Sequence, residues 1–193
     1  MLNSEIFVVI PAYNEGKVVT ETLTELEPDG YSIVVVHDGS AIPQIQYFPQ
    51  SAGSTVWCSR NSNNLRAGAA VQTGTEYAVL KRAKIIVHFD ADGQHIPALI
   101  DGLVDPIRRG TGDVVQGSRF VNTDDPSLVP GKKRIILKAD VCRPWLFTGA
   151  LLTDTHNGFR ALSAEIAQRI RVTENGYAHC TEIWNRFGNL APV

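Results

Sequence analysis

The stretch KIIVHFDADGQH, Lys84 to His95, starts as an apolar strand and then sets two aspartates, a glutamine and a histidine where that strand must stop. Its β-branched run reads as a strand buried on both faces, as in a parallel sheet covered by helices. Working outward, IFVVI (6–10), YSIVVVH (31–37), STVWC (54–58) and DVVQG (113–117) read the same way. Between them the spacing predicts helices over 15–26, 65–80 and 97–109, and a longer one over 132–149. Strands alternating with helices make an α/β chain. The expectation is a Rossmann-like, mostly parallel sheet flanked by helices in a single domain spanning 1–193.

Composition narrows the function. With 193 residues, 44% of them hydrophobic and 20% charged, the chain can bury a full core. A formal net charge of −2, with basic residues dispersed apart from Lys132, Lys133 and Arg134, gives no field for holding a nucleic-acid backbone. Cys58, Cys142 and Cys180 are odd in number and far apart, with no CxxC spacing, and read as reduced thiols of a cytoplasmic protein. The start, MLNSEIFVVIPAYNE, lacks a basic leader region, and no run approaches the roughly 20 apolar residues of a membrane span. A membrane is expected to be met only from its surface.

The sharpest polar signals fall where strands end: Pro11 to Glu15, His37 to Ser40, Asp90 to His95 and Gly117 to Arg119. Open α/β sheets bind ligands at the carboxyl ends of their strands, so these segments point to one site. In an extended segment, residues two apart face the same side, so Asp90 and Asp92 aim both carboxylates at one point. Their repulsion calls for a cation, and all-oxygen ligands favour Mg2+ or Mn2+. Gln94 adds a neutral oxygen on the same alternation, and His95 is tolerable to Mn2+. The plain alternative is that DADG is a solvated turn after a strand. An EF-hand is excluded by its acid and glycine spacing.

Taken in order, VVIPAYNE (8–15), HDGS (37–40), NNLRAGAAVQTG (63–74), FDADGQH (89–95), QGSRF (116–120) and DTHNGFRALS (154–163) resemble the family 2 glycosyltransferases. Within that family they are most similar to the dolichyl-phosphate and polyprenyl-phosphate sugar synthases. The resemblance runs nearly end to end and implies a GT-A fold, a UDP- or GDP-linked sugar donor, a divalent metal and inverting transfer. It also implies a base and ribose pocket at Pro11, Ala12, Tyr13 and Glu15, although a glutamate at a helix start also has a purely structural reading. Asp38 could accept from a base edge, with Gly39 permitting the turn beside it. Two departures stand out. His37 replaces the first of two acids usual before that glycine, and Arg66 takes the place of a usual glycine. Gly68 would let a helix approach the donor, and close helix packing accounts for it equally well.

On the acceptor side, Arg119, the cluster ending at Arg134, Asn157 and Arg160 are candidates for holding a phosphate. Arg160 could instead clamp Asp154 in an ion pair. His156 and His179 read as structural histidines, and Glu182 as a residue pairing within a helix.

Displacing a nucleoside diphosphate builds negative charge on the leaving group, which a metal held by Asp90, Asp92 and Gln94 would stabilise. A polyprenyl-phosphate acceptor is already an anion and needs orientation by Arg119 more than a base. A hydroxyl acceptor needs a carboxylate base, for which Asp154 is the candidate. Asp92, Arg119 and Asp154 are thus the candidate catalytic residues. The rival enzyme is a haloacid-dehalogenase-type phosphatase with Asp90 as nucleophile. Against it, the motif sits far from the chain start and no second acidic pair follows. The non-enzymatic rival is a nucleotide-sugar binding protein, since the chain ends at NLAPV and is expected to lack the C-terminal tail usual in the family.

Overall fold

The structure, a computed structural model, describes residues 3–13, 16–38, 56–61, 66–90, 95–117, 157–176 and 178–188. The helix expected over 132–149 lies outside these residues. The strands are β1 Ile6–Ala12, β2 Ser32–Asp38, β3 Val56–Asn61, β4 Ile85–His88, β5 Val114–Gln116 and β6 Arg160–Ser163. The helices are α1 Gly16–Leu26, α2 Arg66–Leu80, α3 Ile100–Arg108, α4 Ala164–Arg169 and α5 His179–Gly188. A 3-10 turn, Pro97–Leu99, leads into α3 and takes the front of the helix expected from residue 97.

The strands form a 6-stranded sheet in the order β3-β2-β1-β4-β6-β5. β1 pairs in parallel with β2 and β4, and β2 with β3, whereas β6 is antiparallel to both β4 and β5. The carboxyl ends of the other strands and the amino end of β6 therefore share one edge. The expected mixed α/β architecture is present. What it did not include is β6, whose residues read as the continuation of a turn, and the short helix α4; of α5 only a helical setting for Glu182 was expected.

Alternation along each strand divides the core between the two faces. Ile6, Val8, Ile10, Ile33, Val35, Ile85, Val87 and Ala161 pack with Val19 and Leu23 of α1 and Ile100 and Val104 of α3. Phe7, Val9, Val34, Val36, Ile86 and Leu162 pack on the opposite face with α2, α4 and Ile183 of α5. Gly74 lets α2 close on that face, because a β-carbon there would meet the side chains of Val9 and Val36. Even Pro11 fits inside central β1. The carbonyl of Val9 accepts from Phe89 N at 3.0 Å, and residue 11 turns its nitrogen to the same side, where β4 has already ended.

Candidate active site

Of the expected donor-side residues, Pro11, Ala12, Tyr13, Asp38 and Asp90 lie along the carboxyl edge. Pro11 and Ala12 close β1, Ala12 lies opposite His37, and Asp38 closes β2 opposite Asn61. Tyr13 follows β1 with about half of its surface exposed (48%). Asp90 follows β4 by two residues, and Gly117 follows β5 directly. Glu15, Asp92, Gln94, Arg119, Arg134 and Asp154 lie outside the described residues.

Asp90 is the best-defined polar group of this edge. His95 Nε2 stands 3.4 Å from its Oδ2, and its carboxylate remains 36% exposed. Burial pushes Asp90 up, but the hydrogen bond and charge of His95, with the charges of Arg160 and His179, outweigh it and hold the carboxyl below its usual range. His95 in turn is locked by aromatic contacts. Its ring stacks on Phe159 at 5.0 Å and 22°, and Phe89 meets both rings edge-on, at 5.4 and 5.5 Å. A hard carboxylate beside an imidazole is a donor pair that fits Mn2+. Among the described residues no group of three or more His, Cys, Asp or Glu completes a metal site.

The turn 157–159 packs against this carboxylate. A β-carbon on Gly158 would overlap all three carboxyl atoms of Asp90, so any other residue there must push that carboxylate aside. Asn157 spends its side chain inside the turn: Nδ2 donates to the Gly117 carbonyl at 2.9 Å, and Oδ1 accepts from Phe159 N at 3.0 Å. Arg160 has no exposed surface, and its guanidinium donates to the carbonyls of Asn157 at 2.9 Å and Cys180 at 3.2 Å. Asn157 and Arg160, expected at an acceptor phosphate, are both buried here, with the Asn157 amide and the two terminal guanidinium nitrogens of Arg160 bonded within the protein, an arrangement that gives each a structural role. Trp184 adds a further tie, donating from Nε1 to Gln116 Oε1.

Beneath Asp90 lies a buried polar layer. Burial, and then the positive charges of Arg160 and His179, push His88 well below its ordinary value, so it is neutral. His179 Nδ1 faces the Gly176 carbonyl at 2.7 Å, and Nε2 lies 3.5 Å from Cys180 Sγ. Burial raises the Cys180 thiol, but Arg160 and His179 more than reverse this and lower it. The partner His179 is correspondingly raised, against burial, by its bond to Cys180. The structural reading of His179 agrees with this placement.

Gly68 is also placed differently from the donor contact expected of it. Its N–H donates to Asn175 O at 3.1 Å, and a β-carbon would strike the Glu174 carbonyl oxygen. Close packing of the 174–175 backbone on α2 explains this glycine. Glu182 holds the same segment, accepting from Thr173 N, Thr173 Oγ1 and Glu174 N, and from Arg186 Nε one helical turn on. Arg66 adopts φ 71°, the left-handed region that favours glycine, which accounts for the usual residue at that position. Phe159 was missed as a site residue, and Gly158 was expected only as part of a turn near the active centre, with no role of its own. The local signal was an Asn-Gly pair inside a polar turn, which marks tight backbone but not its neighbour.

No helix among the described residues is long and apolar enough to cross a membrane. Comparison with known proteins extends the picture. An uncharacterised protein of Methanocaldococcus jannaschii is 37% identical over 86% of this chain and 68% of its own length. The UDP-N-acetylglucosamine–dolichyl-phosphate N-acetylglucosaminyltransferase of Methanococcus voltae is 28% identical over 94% of this chain and 79% of that one. Among solved structures, glucosyl-3-phosphoglycerate synthase of Mycobacterium tuberculosis, in complex with Mn2+, UDP and glucosyl-3-phosphoglycerate, superposes with a TM-score of 0.65 at 20% identity. That match covers 96% of this chain, which spans 66% of the solved one, and it speaks to the fold. The model of glycosyl transferase family 2 matches residues 7–171. Motif order, sheet topology and this match agree, and the chain belongs to glycosyl transferase family 2.

Proposed function

We propose that the protein transfers a sugar from a nucleoside-diphosphate donor to a polyprenyl-phosphate acceptor at a membrane surface, with inversion at the anomeric carbon. The observation that carries this is Asp90: an ionised, partly exposed carboxylate, fixed by His95 at the carboxyl edge of a family 2 sheet. The Methanococcus voltae relative, whose name gives a UDP-sugar and a dolichyl phosphate, supports the choice of donor and acceptor class. The phosphatase alternative has no support from the family match.

In this reading Asp90, with Asp92 and Gln94, would hold a Mg2+ or Mn2+ ion. Such an ion, when bound, supplies positive charge against the departing diphosphate. Pro11, Ala12 and Tyr13 seat the nucleoside, with the exposed Tyr13 ring as the apolar surface for a base. Asp38 accepts from the base edge, and Glu15 completes the pocket. Arg119 and Arg134 orient the acceptor phosphate, one of whose oxygens forms the new bond to the anomeric carbon as the bond to the diphosphate breaks. No general base is required, because the attacking phosphate is already an anion. Asp154 would act as a base only toward a hydroxyl acceptor.

The test is release of UDP or GDP from a panel of UDP- and GDP-linked sugars, with and without a polyprenyl phosphate, in Mn2+ and in EDTA. Release should require both the acceptor and the metal, and Asp92→Ala should abolish it. Release that ignores EDTA would remove the metal from the reading. Donor binding with no turnover on any acceptor would favour a binding protein.

A further inference from the structure

Resting on the reading of Asp90 as a cation-binding carboxylate, we propose that Gly158 and Phe159 are positioning residues that fix where that carboxylate points. Three contacts carry the inference. The backbone of Gly158 lies against the carboxylate so closely that a β-carbon would overlap Cγ and both oxygens. Phe159 stacks flat on His95, whose Nε2 engages Oδ2. Phe89, the residue before Asp90, sits edge-on to both rings. The carboxylate is thus held on one side by backbone and on the other by an imidazole that cannot rotate without leaving its stack.

The same turn is rigid in its own right. Asn157 bonds it to Gly117, Phe159 O accepts from Gly117 N at 2.9 Å, and Arg160 ties it to the first turn of α5. The acceptors are all backbone carbonyls, and the two side chains that donate, Asn157 and Arg160, are buried, so the wall facing Asp90 has little freedom to change rotamer. Partners that orient a ligating carboxylate in this way typically carry tenfold to a hundredfold in metal affinity.

The test is Mn2+ titration of the whole chain, followed by the electron paramagnetic resonance of the free ion, with saturating UDP and again with GDP. Melting curves accompany it. Gly158→Ala and Phe159→Leu are compared with wild type and with Asp90→Asn. Both positioning variants should bind Mn2+ about tenfold or more weakly while melting within a few degrees of wild type. If Asp90→Asn loses Mn2+ and both positioning variants keep it, or lose it only in step with a falling melting midpoint, the positioning role is wrong. Should Gly158→Ala fail to fold, Phe159→Leu decides by the same criteria. If wild type takes up no Mn2+, or Asp90→Asn binds it like wild type, the cation reading fails and the positioning proposal falls with it.

Discussion

The hydroxyl of Thr75 lies 3.0 Å from Nε2 of the buried His88 and 2.7 Å from the carbonyl oxygen of Val71. The carbonyl can only accept, so the hydroxyl proton goes to Val71 and a lone pair remains for His88. The imidazole is neutral and must carry its proton on Nε2. Thr75→Val keeps the shape but strands that N–H, and should cost about 1–3 kcal/mol, as for any buried donor left unpaired. Thr75→Ser should recover most of it. Urea denaturation of the two variants checks this: equal stability of Val and Ser at position 75 would contradict the bond.

Glu182 provides the pH dependence. Burial opposes ionisation, but hydrogen bonds from the Thr173 hydroxyl, from the backbone N–H groups of Glu174 and Thr173, and from Arg186 outweigh it and pull the carboxyl down to about 2. A carboxyl depressed on folding stabilises above its unfolded value and loses that contribution as pH falls toward the folded one. Glu182→Gln should therefore be less stable than wild type at neutral pH, and the gap should close between about pH 4.5 and 2. Denaturation midpoints across that range read the difference. A gap independent of pH would show that the charge plays no part.

Gly68→Ala should destabilise by about 1–3 kcal/mol, because the new methyl has backbone rather than a mobile side chain in its way. Nucleotide affinity of the remaining folded protein should be unchanged. Thermal melts beside calorimetry with UDP and GDP separate the two effects. Lost affinity with an unaltered melt would restore the donor contact first expected of this glycine.

The parts of the fold legible in advance are those in which local pattern and tertiary setting agree. β1, β2 and β4 are continuous apolar runs, and a strand buried on both faces needs nothing else. β6 escaped because its first residue is an arginine, and nothing local announces that a guanidinium will be buried and bonded to two carbonyls. Site residues follow the same division. Asp90 is visible because carboxylates two apart after a strand are a pattern along the chain, whereas Gly158 acts on a group 68 positions away. Gly68 shows the converse: the glycine was noticed with two readings open, and only the fold shows that what it makes room for is the backbone of residues 174 and 175.

One rung of the sheet has a wider consequence. Gln116 of β5 and Arg160 of β6 are direct partners, and Gly117 and Asn157 are bonded just beyond them. Residues 117 and 157 are thus fastened directly to each other at the end of the β5–β6 pair. Whatever displaces the turn 157–159 from Asp90 must also pull on the last rung of the sheet, so the carboxylate inherits the stiffness of the strands.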